Sequence, residues 1–498
     1  GPVAARRRRG GQARCWQRWL WSLQLAGARR RRPPPTWCAT ASPVQVQGDH
    51  AAASARVIMP TTGDALRNGR LKDVGEGYAY SVQSSRSDSD SDDNGEVVMR
   101  RAASGEHSLR SSLSHVLMGS SLNVLLVFVP LAVLASPEHQ DWGHAWTFAF
   151  ALAALIPFAE RVSFVTEDVA KYTSDTVGGL LNASFGNITE LVVCVFMLKT
   201  GGSMMLRLVQ VSMLGSVLSN LLLVLGSAFL VGGIRHKEQV FKPAVSGIYS
   251  VLLLFAVLGM SLPLALAATH TGAGDARQEG DQTAHGGEAP LWLSRFIAVV
   301  MLFIYGLLIL FQLKTHSHLL EGMEDGEDEP GVLGLWGGVL WLALITFFIS
   351  VLSDYIVDAI EGAAKGTGTP LLFLAGILVP IVGNAAEHFA AITFAWRNKM
   401  EISLGSAVGS AVQIAVFVIP LCVVLGWAMG EPMSLNFHVF ETVVLLLSVL
   451  AVAVVLSDGQ SHWLKGAVLL FAYVLIAASF WAHKDPEELR GLGAVEGR

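Results

Sequence analysis

Long apolar runs constrain this sequence more than any other feature. Eleven runs after residue 115 are long enough for membrane-spanning helices, which need about 20 predominantly apolar residues. They lie near residues 116–136, 144–164, 176–198, 203–233, 244–268, 291–312, 333–357, 370–395, 402–428, 435–456 and 462–482. Only 15% of the residues are charged, whereas soluble domains usually have about 25%. The sequence therefore predicts an all-α membrane protein with 11 transmembrane helices.

Two of these runs contain the same polar motif. Gly-Asn-x-x-Glu occurs at 186–190 and again at 383–387, and a Gly-Ser motif follows on the next run, at 215–216 and at 409–410. The matched spacing indicates a duplicated two-helix unit. The two motif spans are the third and the eighth, so they enter the membrane from opposite sides. The sequence thus predicts one extra N-terminal helix and two inverted five-helix repeats, an arrangement typical of secondary transporters.

The two motifs place oxygen-bearing side chains in apolar surroundings. A single intramembrane Ser or Asn often only packs helices together, but an ionisable residue at mid-span costs at least ~2.5 kcal/mol and is a functional candidate by default. Side chains three residues apart share a helix face, and four such faces converge if the repeats pack about a pseudo-two-fold axis. The predicted cation cage contains Glu190, Glu387, Asn187, Asn384, Ser216, Ser219, Asn220, Ser410 and Gln413, with Ser406 on the same face as the last two.

The chemistry of this predicted cage favours a hard cation. Calcium takes 6–8 oxygen ligands in flexible geometry, which two carboxylates with amide, hydroxyl and backbone oxygens supply. A soft-metal site is not expected, because Cys and His residues do not cluster. The oxygen ligands leave calcium and manganese as open alternatives.

At these motifs the sequence resembles the vacuolar-type cation/proton (calcium/proton) exchangers of the calcium/cation antiporter superfamily. The resemblance covers about residues 110–482 and rests on GGLLNASFGNITEL with SMLGSVLSNLLLVLG, on PIVGNAAEHFAAI with GSAVGSAVQIAVFVIP, and on the acidic stretch between the halves. It implies that Glu190 and Glu387 are the central ligands. It also implies export of cytosolic calcium into an acidic compartment in exchange for protons.

These residues suggest a way for two cargoes to compete. A bound divalent cation neutralises both carboxylates, whereas burial and a like-charged neighbour favour protonation once the cation has left. We therefore expect Glu190 and Glu387 to bind either one cation or protons, with access changing only in occupied states. A sodium-coupled calcium exchanger, a manganese/proton exchanger and a cation channel remain alternatives. The expected partners are divalent cations, protons and the lipid bilayer; no enzyme activity, cofactor or nucleic-acid partner is expected, and nothing specifies an oligomeric state.

Loop charges predict the orientation in the membrane. Cationic residues concentrate on the cytosolic side of membrane proteins. With a cytosolic N-terminus, the expected cytosolic loops contain Arg161 and Lys171, then Arg235 and Lys242, and later Lys399, while the acidic 269–290 loop faces the other side. The expected location is a vacuolar or other acidic-organelle membrane.

Other acidic residues lie outside the predicted cage. Candidates for a gate or vestibule are Glu167, Asp168, Glu361 and His388, with ordinary interfacial charges or, for His388, helix packing as the alternative. The acidic run Glu321, Glu324, Asp325, Glu327, Asp328 and Glu329 is either a regulatory, cation-collecting patch or a solvated face.

The predicted organisation has six parts. They are a disordered tail, basic and then Ser/Asp-rich (1–110), the first transmembrane helix and its loop (111–143), the first five-helix repeat (144–312), an acidic cytosolic linker (313–332), the second repeat (333–482) and a C-terminal tail (483–498).

Overall fold

The structure is a computed structural model that describes residues 109–137, 139–140, 142–173, 175–271, 288–319 and 331–482. The predicted tails, except for residues 109–110, and the whole acidic run from Glu321 to Glu329 lie outside the described residues. The described part of the chain is helical, apart from short connections and one pair of two-residue strands.

Fourteen helices follow one another in the described chain. They are α1 (Leu109–Met118), α2 (Ser121–Ala135), α3 (His144–Ala170), α4 (Asp175–Phe185), α5 (Ile188–Thr200), α6 (Gly202–Arg235), α7 (Pro243–Thr271), α8 (Glu288–Leu310), α9 (Leu335–Thr367), α10 (Leu371–Gly383), α11 (Ala385–Trp396), α12 (Met400–Met429), α13 (Val439–Leu456) and α14 (Trp463–Ala482). Strands β1 (Gln239–Val240) and β2 (Gln460–Ser461) pair antiparallel.

The lengths and apolar compositions of the helices are those of a protein that crosses a membrane several times. Within the described ranges, eight are long and apolar enough to cross a bilayer, and the bent pair α10–α11 brings the number to nine. The other two predicted spans correspond to α2, which is shorter, and to the broken pair α4–α5. The all-α membrane fold is therefore confirmed, and the count of 11 is consistent with the structure.

Helix α3 departs from the predicted helix ends. The sequence predicted an end near residue 164 with Arg161 in a cytosolic loop, but the helix continues to Ala170. Arg161 is buried, forms an ion pair with the adjacent Glu160 and donates to the backbone oxygen of His115 at 3.3 Å. The helix passes these two charges because they neutralise each other. The prediction of a loop position for Arg161 is wrong, and Lys171 is the first residue after the helix.

Helix packing follows a pseudo-two-fold pattern. Helices α3 and α9 pack against each other, as do α7 and α13. Three further sets of contacts occur as matched pairs: α6 with α14 and α12 with α8, α6 with α11 and α12 with α5, and α5 with α9 and α11 with α3. This pattern relates α3–α8 to α9–α14, and it agrees with the predicted pair of inverted repeats.

Helices α6 and α12 form the centre of the bundle. In each, 72% of the most apolar 18-residue window is buried, against 22% in α14 and 28% in α9. Each contains π-helical turns, at Ser219–Val224 in α6 and at Gly405–Gly409 and Ile414–Val418 in α12. Such turns occur often at functional sites, and these lie beside the predicted cation ligands.

The two ends of the bundle differ in their connections. At one end, β1 and β2 join the α6–α7 and α13–α14 connections, and the Gln239 amide donates to the Ala395 oxygen and to Asn398 Oδ1, both at 2.9 Å. We call this the strand end. The opposite end, which we call the far end, contains the α5–α6 and α12–α13 connections.

One close helix approach depends on glycine. A Cβ atom on Gly215 of α6 would lie 2.1 Å from the backbone oxygen of Gly376 in α10 and 2.8 Å from Pro380 Cγ. The equivalent Gly409 of α12 is less confined, since its nearest neighbour would be the Tyr249 hydroxyl at 3.5 Å. The first of these approaches brings α6, with Ser216, against α10.

We predict that Gly215→Ala destabilises the protein and that Gly409→Ala is tolerated. The methyl group of the alanine at position 215 would force the backbones of α6 and α10 apart, and overpacking of this kind costs about 1–3 kcal/mol. Thermal unfolding of the purified protein in detergent measures the difference. Equal unfolding midpoints for the two variants would contradict this account of the α6–α10 contact.

Candidate cation-binding site

Both predicted motifs coincide with helix breaks. Gly186 and Asn187 separate α4 from α5, and Asn384 separates α10 from α11, which are bent by 53°. Both asparagines have non-helical backbone angles, and both are buried. Each motif therefore ends one half-helix and begins another inside the bundle.

The two glutamates lie in the first turns of α5 and α11. Glu190 is the third residue of α5, and Glu387 is the third residue of α11. A helix N-terminus carries free N–H groups and a partial positive charge, which interact favourably with a carboxylate. Glu190 is 5% exposed, and a Cβ atom on Gly383 would lie 2.9 Å from its Oε1. The Glu190 carboxyl group thus reaches the helix break of the other repeat and packs against Gly383.

A chain of side-chain hydrogen bonds connects the repeats beside these glutamates. Asn187 Nδ2 donates to Gln413 Oε1 at 2.7 Å. Ser410 Oγ donates to Asn187 Oδ1 at 3.0 Å. Both bonds run from the break between α4 and α5 to helix α12.

The chain of hydrogen bonds continues through Asn220 on α6. Its Nδ2 donates to Ser410 Oγ at 3.3 Å and to Asn384 Oδ1 at 3.2 Å. Asn384 Nδ2 then donates to the backbone oxygen of Ser216 at 3.4 Å. We call Gln413, Asn187, Ser410, Asn220 and Asn384 the amide–hydroxyl chain. Each of its five hydrogen bonds joins one repeat to the other.

Several buried oxygens around this chain make no hydrogen bond within the described part of the protein. They are Glu190 Oε1, Glu387 Oε2, Ser216 Oγ and Asn220 Oδ1. Buried polar atoms nearly always have a protein or water partner, so this group of unpaired oxygens from both repeats is available to bind a ligand or water. Two carboxylates with neutral oxygens are the donor set that a hard divalent cation accepts.

The structure brings the predicted cage residues together with two differences. The hydroxyl groups of Ser219 on α6 and Tyr473 on α14 are both buried, and within the described part of the chain neither makes a hydrogen bond. Ser406 donates to the Ile402 oxygen of its own helix at 3.2 Å. Among the described residues, no group of three or more His, Cys, Asp or Glu could hold a metal. The candidate site therefore depends on neutral oxygens as much as on carboxylates.

The repeats contribute unequally to the site. Asn220 follows Ser216 by four positions, whereas the residue four positions after Ser410 is Ile414. The third asparagine, which contacts both Ser410 and Asn384, therefore has no counterpart in the second repeat.

The candidate vestibule residues lie outside this group. Both carboxylate oxygens of buried Asp168 accept backbone N–H groups, from Val332 at 2.8 Å and from Leu333 at 2.9 Å. Asp168 thus fastens the segment that leads into α9. Glu167 is exposed, and Glu361 is half-buried near the end of α9, 4.0 Å from Lys365.

His388 follows Glu387 in the sequence, but its side chain contacts the backbone of its own helix. Its Nδ1 lies 2.8 Å from the backbone oxygen of Asn384, and its Nε2 is buried without a hydrogen bond in the described chain.

Sequence reasoning missed two ion pairs that join the repeats. Arg207 pairs with Glu441, and Lys242 lies 3.7 Å from Glu401. A spacing signal was present, because Arg207 and Glu401 each lie nine positions before a predicted ligand serine, Ser216 or Ser410.

Comparisons with known proteins agree with this architecture. The family model described as sodium/calcium exchanger protein matches residues 143–314 and 337–482. The chain is 43% identical over 394 residues to vacuolar cation/proton exchanger 2 of Arabidopsis thaliana, covering 77% of this chain and 86% of that protein. It is 44% identical over 393 residues to vacuolar cation/proton exchanger 3 of Oryza sativa subsp. japonica, covering 77% and 90%.

Solved structures show the same fold. The structure of native YfkE aligns with a TM-score of 0.60 at 33% identity, covering 73% of this chain and all of that chain. A second crystal structure of YfkE, a Ca2+/H+ antiporter protein, aligns with a TM-score of 0.58 at 31% identity and the same coverage. The family model covers more than half of the sequence, and the two plant relatives are similar over most of their length. The chain therefore belongs to the sodium/calcium exchanger protein family.

Proposed function

We propose that this protein is a secondary active antiporter that exchanges calcium, or another divalent cation, for protons by alternating access. Glu190 and Glu387 bind the cation or the protons in turn. The similarity to vacuolar cation/proton exchangers and to the Ca2+/H+ antiporter YfkE supports cation/proton exchange across a vacuolar membrane. The cationic residues of the strand end support a cytosolic location for that end and for the N-terminus.

One observation carries the proposal. The unpaired buried oxygens of Glu190, Glu387, Ser216 and Asn220 come from both repeats and surround the breaks in two pairs of half-helices. A site at the interface of two inverted repeats, with discontinuous helices on either side, is the usual arrangement in secondary transporters. The enclosed position of Glu190 favours a closed binding site over an open pore.

Charge balance explains how the two cargoes compete. One divalent cation neutralises both carboxylates, and two protons have the same effect. Glu387 interacts electrostatically with Glu190, and two buried carboxylates of like charge are unfavourable when neither cargo is bound. The unoccupied state is therefore the least stable one, and each change of access takes place with one cargo in the site.

The amide–hydroxyl chain prepares the site for either cargo. It fixes the amide oxygens of Asn187 and Asn384, each of which keeps a lone pair after accepting one hydrogen bond. These oxygens coordinate the cation without first breaking a contact. When protons replace the cation, the same bonds hold the two repeats in register.

We predict that Glu190→Gln and Glu387→Gln each abolish calcium uptake driven by a pH gradient. Glutamine keeps the shape of the side chain but carries neither the negative charge nor the exchangeable proton. Uptake of radioactive calcium into proteoliposomes with an acidic interior measures the effect. Glu238→Gln, which changes an exposed loop residue, serves as the control and retains uptake. Proton-driven uptake by either site variant would refute the assignment.

We predict that Ser410→Ala raises the KM for calcium about tenfold, because the Asn187 oxygen and the Asn220 amide lose their shared partner. Loss of such a buried hydrogen bond costs about 1–3 kcal/mol, and 1.4 kcal/mol corresponds to a factor of ten. Ser406→Ala is the matched control, since that hydroxyl bonds only to its own helix. An unchanged KM for Ser410→Ala would exclude Ser410 from the site.

A third prediction separates proton coupling from sodium coupling. Calcium uptake into proteoliposomes should follow an inside-acidic pH gradient and should vanish when a sodium gradient replaces it at equal pH. Uptake driven by sodium alone would establish the sodium-coupled alternative. Unlabelled manganese added to the pH-driven assay tests binding of the second divalent cation, and uptake of radioactive manganese under the same gradient would place it among the cargoes.

A further inference from the structure

Two ion pairs link the repeats at opposite ends of the bundle. At the far end, Arg207 on α6 binds Glu441 in the first turn of α13. At the strand end, Lys242, which directly precedes α7, lies 3.7 Å from Glu401 in the first turn of α12. Each pair joins a central helix of one repeat, α6 or α12, to the start of the fourth transmembrane span of the other repeat, α13 or α7.

The two ion pairs occupy equivalent positions with reversed polarity. Arg207 lies nine positions before Ser216, and Glu401 lies nine positions before Ser410. Their partners lie at the starts of α13 and α7, which pack against each other. The central helix contributes the cation at the far end and the anion at the strand end. The fold thus accepts either polarity at this position.

The ion pair at the far end is the tighter one. The side chains of Arg207 and Glu441 are 11% and 2% exposed. Gln210 accepts from Arg207 Nη1 at 3.0 Å and donates to the Ser434 oxygen at 2.9 Å, while the His438 N–H donates to Glu441 Oε2 at 3.2 Å. The pair, together with Gln210, therefore holds the α12–α13 connection against the N-terminal part of α6.

The ion pair at the strand end is looser and borders a cavity. Lys242 and Glu401 are 41% and 26% exposed. Both line a cavity with Ser246, Tyr249 and other side chains of α7, α12 and α13. The Tyr249 hydroxyl is the nearest group to Gly409, the residue that precedes Ser410. Tyr249 in the lining of this small cavity therefore lies beside the residue that precedes Ser410.

We propose that Arg207–Glu441 and Lys242–Glu401 are paired latches that determine which end of the site is open. This inference rests on the proposed alternating access. In transporters built from inverted repeats, access changes largely by rocking of one repeat against the other around a fixed site. The far-end latch is closed and the strand-end latch is loosened in the present conformation, and their roles exchange in the alternate one. Removing one latch shifts the population towards the state in which its own end is open.

Hydrogen–deuterium exchange of the purified full chain tests this coupling. In Arg207→Gln, amide exchange in the far-end segment 430–445 should become roughly tenfold faster, because a buried glutamate loses its partner. Exchange in the strand-end segment 397–405 should become slower at the same time. Glu401→Gln should produce the opposite changes at both ends. A contact that only stabilises the local structure would give faster exchange at its own end and no change at the other, and that result would overturn the proposal.

Two further variants separate latching from misfolding. The double variant Arg207→Glu with Glu441→Arg reproduces the polarity of the strand-end pair and should restore the parent exchange pattern at both ends. Arg207→Lys keeps the charge and should remain close to the parent. If neither differs from Arg207→Gln, the ion pair is not the operative contact.

A control and a parallel assay complete the test. Lys465→Gln breaks the Lys465–Asp458 pair, which lies within the second repeat, and should change exchange only at the strand end. Proton-driven calcium uptake by the unmodified chain is measured in parallel. Absence of uptake would refute the proposed transport function, whereas opposite exchange changes at the two ends would still establish the latches.

Discussion

The amide–hydroxyl chain is the interaction on which the site depends. The chain connection between the two repeats does not specify how their polar faces meet. Apolar packing does not specify it either, because it does not align one asparagine with another. The five hydrogen bonds from Gln413 to the Ser216 backbone oxygen supply that alignment, since every one of them crosses between the repeats. In a low-dielectric interior an unpaired amide is costly, so these hydrogen bonds favour an arrangement of the repeats in which their polar faces meet.

Local sequence makes this arrangement sterically accessible. Gly383 leaves space for the Glu190 carboxyl group, and Gly215 lets α6 approach the backbone of α10. Helix breaks at Asn187 and Asn384 place a glutamate in the first turn of each half-helix. The glycines, the helix breaks and the π-helical turns therefore determine where the two carboxylates lie. A substitution that leaves every ligand intact can still displace the site.

Apolar periodicity and motif spacing predicted the membrane fold, the inverted repeats and most of the residues that meet at the site. They did not predict the length of α3, because the sequence pattern does not show that Arg161 pairs with Glu160 and also donates to the backbone oxygen of His115. Spacing placed Asn220 on a face shared with Ser216 but could not identify it as the link between Ser410 and Asn384. The ion pairs of Arg207 and Glu401 were not predicted for the same reason. Their partners lie more than 150 residues away, and only the packing of α6 and α12 against the other repeat defines them.

The missing counterpart of Asn220 makes the two halves chemically unequal, since Ile414 occupies the corresponding position. Under the proposed alternating access, two conformations related by exchanging the roles of the repeats would therefore differ in free energy even when no gradient is present. By thermodynamic linkage, this difference sets the resting population and the half-saturating cargo concentration on each side of the membrane. It leaves the final concentration ratio unchanged, because the driving gradients and the coupling stoichiometry determine that ratio. In the proposed exchanger, the unmatched Asn220 would therefore contribute to a preferred orientation of the site without changing the final concentration ratio.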